Sequence, residues 1–102
     1  MEERRGQLVQ RLRQAEQARD LLRELERLLK EDSRELESTL ERLDGLAQSL
    51  PEADRIRWFI ESAVGSARVD RSVKAGSDVS RSRSAVEGEL STLRGTIDRG
   101  VT

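Results

Sequence analysis

Stepping along the first half of the chain by alternating fours and threes from Leu8 gives Leu12, Ala15, Arg19, Leu22, Glu26, Leu29, Ser33, Leu36, Leu40, Leu43, Ala47 and Leu50. Ten of these thirteen positions are apolar, the rhythm of a heptad seam on an α-helix. Arg19, Glu26 and Ser33 interrupt it. Beside the first two runs a second apolar row, Ala18, Leu21, Leu25 and Leu28. A stripe that wide implies burial against more than one neighbour, or against a close one. Neither glycine nor proline occurs between Gln7 and Asp44, and good helix formers dominate. The pattern predicts one helix over about 3–47. Ser49-Leu50-Pro51-Glu52 then reads as a stop and restart. Ser49 and Glu52 have capping-box spacing, and proline is tolerated in a first helical turn.

The second half keeps the rhythm with smaller residues. Stepping back from Ile97 gives Leu93, Leu90, Val86, Arg83, Val79, Gly76, Ser72, Val69, Gly65, Ser62 and Trp58. All but Arg83 are apolar or small, which predicts a second helix over about 52–98. The helix is expected to be continuous, and its weakest point, where any break would fall, is Ala75-Gly76-Ser77-Asp78. The expected fold is therefore all-α: one domain over 1–102, an antiparallel hairpin of two long helices bent near 45–52, pairing into a four-helix bundle. Folding there would set Gly65, Ser72 and Gly76 against the bulky stretch from Leu21 to Leu29. It would also bring Arg83 near Gln14 and Glu16.

Composition supports long helices. The 102 residues are 38 % charged and 34 % hydrophobic, and 19 basic residues nearly balance 20 acidic ones. That balance argues against a dedicated nucleic-acid or anionic-membrane binder. No apolar run reaches the length of a membrane span. The charged start, Met1-Glu2-Glu3-Arg4-Arg5, does not read as a secretory signal. A cytoplasmic protein is expected, or one exported by a non-Sec route. Arginine is strongly preferred to lysine, which occurs only at Lys30 and Lys74, a usage that fits a GC-rich bacterial genome.

Candidate chemistry is sparse. Histidine, cysteine and tyrosine are all absent, so there is no thiolate, no imidazole base and no zinc shell beyond carboxylates. The glycines are too scattered for a phosphate loop. No catalytic, metal or cofactor-binding residue is expected, nor a small-molecule ligand. Arg81-Ser82-Arg83-Ser84 sits in a locally basic stretch and could take a phosphate or contact RNA, but no stacking platform accompanies it.

The chain's aromatic residues are adjacent, Trp58 and Phe59. Neighbours on a helix point about 100° apart, so both cannot centre one narrow seam. They either close the hairpin tip against Leu36, Leu40 and Leu43, or one of them meets a partner. With the leucine row, the candidate partner-binding residues are Leu21, Leu25, Leu28, Trp58 and Phe59. The expected function is a non-catalytic helical interaction module. The alternative is a self-associating coiled-coil subunit of a larger assembly.

Two long helices in about a hundred residues, with Trp58 near the bend, resemble the WXG superfamily and the related small helical partners of type VII secretion substrates. The resemblance covers length and architecture. The motif itself departs: Phe59-Ile60 follows the tryptophan, and glycine comes only within Ala63-Val64-Gly65-Ser66-Ala67. The family's tyrosine-based export signal has no counterpart here. The resemblance implies a chaperone-like partner of a secreted bacterial effector.

Overall fold

A computed structural model describes residues 2–31, 34–69 and 73–100. They form four α-helices and no strand: α1 Glu2–Glu31, α2 Leu36–Ser49, α3 Arg55–Val69 and α4 Val73–Asp98. The protein is thus all-α, as the periodicity predicts. It has four helices where two were expected. The first predicted helix, 3–47, is divided between Glu31 and Leu36, and the second begins at Arg55 and is divided after Val69. Asp32-Ser33 lies at the first division and Asp70-Arg71-Ser72 at the second, outside the described residues. Aspartate and serine, which occur in both stretches, are residue types that compete with helical hydrogen bonding. No break falls at 75–78, the weak point of the sequence: Ala75, Gly76, Ser77 and Asp78 lie inside α4.

The turn between α2 and α3 is set by particular groups. Ser49 Oγ donates to the Leu46 carbonyl at 2.6 Å, and the Leu50 N–H donates to the Ala47 carbonyl at 3.0 Å, closing α2. Extended backbone at Leu50 (φ −97°, ψ 149°) leads into Pro51. The restart falls later than the Ser49–Glu52 spacing predicts. Asp54 is the cap: its Oδ1 accepts from the Ile56 N–H at 2.9 Å, and its carbonyl accepts from the Trp58 N–H at 3.2 Å.

Ion pairs fix how the helices lie. Glu16 meets Arg94, Arg23 meets Glu87 and Glu26 meets Arg83, so α4 runs back along α1. Arg55 meets Glu89 and Ser66 donates to Asp78, so α3 and α4 are also opposed in direction. Helix α1 packs chiefly on α4 and α2, and α3 on α4 and α2. At 1.5 Å per residue α1 is about 45 Å long, close to the molecule's longest extent of 46 Å. Helices α2 and α3 have 14 and 15 residues and span only about half of that. They flank the later part of α1 and the earlier part of α4.

One core results. It draws Leu22, Leu25 and Leu28 from α1, Leu36, Leu40 and Leu43 from α2, Ile56 and Ile60 from α3, and Val79 and Val86 from α4. Each such side chain contributes roughly 1.5–3 kcal/mol by leaving water. The wide stripe on α1 is explained by its two principal neighbours. The step Leu22–Leu25–Leu28 carries the core inward, while Arg19 and Glu26 come to the margin.

Candidate functional site

The structure separates the five residues expected to bind a partner. Leu25 and Leu28 are buried in the chain's own core. They offer nothing to a partner unless the helices part. Leu21 is half-buried at a shallow groove between α1 and α2, lined also by Gln17, Asp20, Arg42 and Leu46. Phe59 is half-buried against the core. Trp58 stands in the solvent, 64 % exposed, its ring edge-on to Phe59 with centroids 5.6 Å apart. Neither aromatic residue closes a hairpin tip by full burial.

The helical phase of α3 explains Trp58. Its buried residues are Ile56, Ile60, Ala63, Val64 and Ala67. The heptad phase read from sequence, Trp58–Ser62–Gly65–Val69, is therefore the outer face of this helix. At 100° per residue those four side chains fall within about 60° of each other. Val69 is 88 % exposed, and an added Cβ at Gly65 would have no neighbour within 4 Å. Gly65 thus does not face the Leu21–Leu29 stretch as the two-helix hairpin requires. The same phase holds in α4, where Val79, Val86 and Leu90 are buried. A change of phase between α3 and α4 is what a break between them permits.

Polar groups frame the outer face. On the α2 side Arg68 pairs with Asp44, and Glu61 accepts from Arg57 at 2.8 Å. On the α4 side Ser66 donates to Asp78 at 3.1 Å, and Arg55 lies 3.7 Å from Glu89. Among the described residues Trp58 and Val69 are the exposed large hydrophobic side chains, and both belong to this face.

Elsewhere several charges hold helices together. Asp54, its side chain only 2 % exposed, accepts from Arg11 at 2.5 and 3.1 Å besides capping α3. Arg83 does not reach Gln14 or Glu16; it binds Glu26 across the α1–α4 interface and Glu87 one turn on. The divisions between α1 and α2 and between α3 and α4 shift the register from the one a single central bend would give. Hydrogen bonding from Arg83 holds the Glu87 carboxyl below its ordinary range, against a smaller opposing effect of burial. The Arg83 guanidinium is correspondingly raised, first by Glu87 and then by Glu26. Within Arg81–Ser84, Ser82 is buried and Arg83 is occupied by carboxylates, while Arg81 and Ser84 are exposed.

Among the described residues no group of three His, Cys, Asp or Glu side chains is placed to hold a metal ion. Nor is any described helix long and apolar enough to cross a membrane. The outer face of α3 was not recoverable from the heptad count, which assigned Ser62, Gly65 and Val69 to the inside. The competing phase Ile56–Ile60–Ala63–Ala67 was the available signal. No family model, no curated protein and no solved structure matches this chain.

Proposed function

We propose that this protein is a non-catalytic helical interaction module whose contact face is the outer side of α3, centred on Trp58. One observation carries the reading. In a chain whose large apolar side chains are otherwise mostly drawn inward, its single tryptophan stands 64 % exposed on a helix that is itself anchored by five core residues. Tryptophan buries a large area at low entropic cost and is enriched among the residues that dominate binding energy. Ser62 and Gly65 beside it leave room for another backbone to approach. The chaperone-like role that the WXG resemblance implies, beside a secreted effector, is one use of such a face.

The reading is tested by placing a photo-reactive residue at position 58 and, as a control, at the exposed Gln10 of α1. Cross-linking in the source cell to a discrete protein from position 58 alone is the expected result. Equal capture from both positions, or none, would remove the face from consideration. The sole tryptophan supplies a second readout, because covering it shifts its emission to the blue.

A further inference from the structure

We infer that the occupant of this face is a second copy of the chain, α3 lying antiparallel on α3 about a two-fold axis between Ser62 and Gly65. The inference rests on the reading of α3 as the contact face.

The order of residues carries it first. Along the outer face the sequence runs bulky, small, small, bulky: Trp58, Ser62, Gly65, Val69. Trp58 and Val69 stand equally far on either side of the point between Ala63 and Val64, and so do Ser62 and Gly65. A two-fold axis through that point lays Trp58 over Val69 of the second copy. It also lays Ser62 over its Gly65. The two backbones close at the small residues, and each tryptophan packs on an apolar side chain instead of on the other tryptophan. A self-complementary patch of this kind is what a two-fold interface requires.

Charge carries it independently. In an antiparallel pair related by a two-fold axis, each flank of one helix faces the same flank of the other. Glu61 and Arg68 share the flank towards α2, where Arg68 pairs with Asp44. Glu61 of one copy then meets Arg68 of the second, and the reverse, giving two symmetric opposite-charge contacts, while Arg57 of the same flank lies further from the contact line and is held by Glu61 and the Leu50 carbonyl. The other flank brings Phe59 towards Ser66, with no like charges opposed. A parallel pair would set Glu61 and Arg68 against the Phe59–Ser66 flank and leave both charges unmatched. Arg68 and Glu61 are exposed enough to exchange their present partners for these.

The helix is short, 15 residues, so the interface lies at the small end of specific contacts and the dimer is concentration-dependent. Sedimentation equilibrium of the full chain from micromolar to millimolar concentration tests it. The expected result is a monomer–dimer equilibrium that Trp58→Ala weakens at least about tenfold. Gly65→Leu should abolish it. That variant is informative because position 65 is exposed and an added Cβ meets nothing within 4 Å in the monomer, so helicity by circular dichroism should be unchanged. Glu61→Arg and Arg68→Glu should each weaken the dimer, and the double reversal should restore it.

A monomer throughout the range would overturn the second-copy inference. Position 58 cross-linking to a different protein would then leave the contact face standing. A dimer indifferent to Trp58→Ala and Gly65→Leu would place self-association elsewhere and overturn the inference. A dimer that the double reversal fails to restore would overturn the antiparallel arrangement.

Discussion

The two ends of the molecule use the same kind of sequence and reach different degrees of burial. At one end α2 and α3 flank α1 and α4, and Leu22, Leu25 and Leu28 are withdrawn from solvent. At the other end α1 and α4 continue beyond the shorter helices. There Leu8, Leu12 and Ile97 are only half-buried, although Leu8 and Leu12 lie on the same seam as Leu22. What differs is the number of neighbours. A leucine beside one helix keeps part of its surface in water; between two or three helices it loses nearly all of it. Stability should be distributed accordingly, with the two-helix end opening at lower free energy than the rest.

The largest expected effect sharpens that contrast. Leu25→Ala should cost about 2–5 kcal/mol, the range for removing a fully buried leucine. Leu8→Ala should cost roughly 1 kcal/mol or less, because its site is partly solvated and can collapse. Urea unfolding of the two variants beside the parent measures both. Similar losses would mean that the ends are equally packed. Hydrogen exchange should agree, with amides near Leu25 protected more strongly than those near Leu8.

Next in size is the clamp between the two ends. Asp54 caps α3 and takes two hydrogen bonds from Arg11, which is 36 % exposed. Asp54→Ala removes the cap and a charge-assisted pair together, for a loss of about 2–3 kcal/mol. Asp54→Asn keeps an oxygen for the Ile56 N–H and should lose about 1 kcal/mol less. Arg11→Met leaves the buried carboxylate with its backbone partner alone and should itself cost about 1–3 kcal/mol. If Arg11→Met is neutral in urea unfolding, the pair does not couple α1 to α3.

These residues also mark how far the sequence could be read. The helical character was legible in the heptads, and the row from Ala18 to Leu28 marked a stripe wide enough for more than one neighbour or for a close one. The divisions of the two long helices were not legible. Each falls at a short polar stretch, Asp32-Ser33 and Asp70-Arg71-Ser72; Ser33 is only one of three polar interruptions of its seam, and Ser72 fits the small-residue rhythm of the second half. Once the second division is missed, counting back from Ile97 carries the α4 phase into α3, where it points to solvent. Trp58 was therefore singled out for its chemistry while its direction was undetermined. Leu25 and Leu28 were singled out from the same row that the core consumes. Asp54 was invisible because its partner lies 43 residues away.

A smaller effect of opposite sign follows from the glycines. Gly88 is exposed inside α4, and an added Cβ there has no neighbour within 4 Å. Gly88→Ala should therefore stabilise the protein by about 0.5–1 kcal/mol through backbone entropy alone. A rise in the urea midpoint is the expected outcome. A loss would mean that another surface packs against α4 at this point.

The smallest expected effect is a pH dependence carried by Glu87. Its carboxyl sits below the ordinary range because Arg83 donates to it, with Arg23 adding a weaker attraction across the α1–α4 interface. A carboxyl that is more acidic folded than unfolded stabilises the fold above the unfolded value, about pH 4.3. That contribution fades as the pH falls through the lower folded value. The group is partly exposed, so the contribution is modest and screened by salt. Glu87→Gln should therefore be less stable than the parent near neutral pH, and the difference should close on acidification. The test is the urea midpoint of both proteins from pH 7 down to pH 3 at low salt. Curves that stay parallel would mean that Glu87 adds no net stability through Arg83 or through Arg23. The α1–α4 interface would then be fastened at that level by the Arg83–Glu26 pair alone.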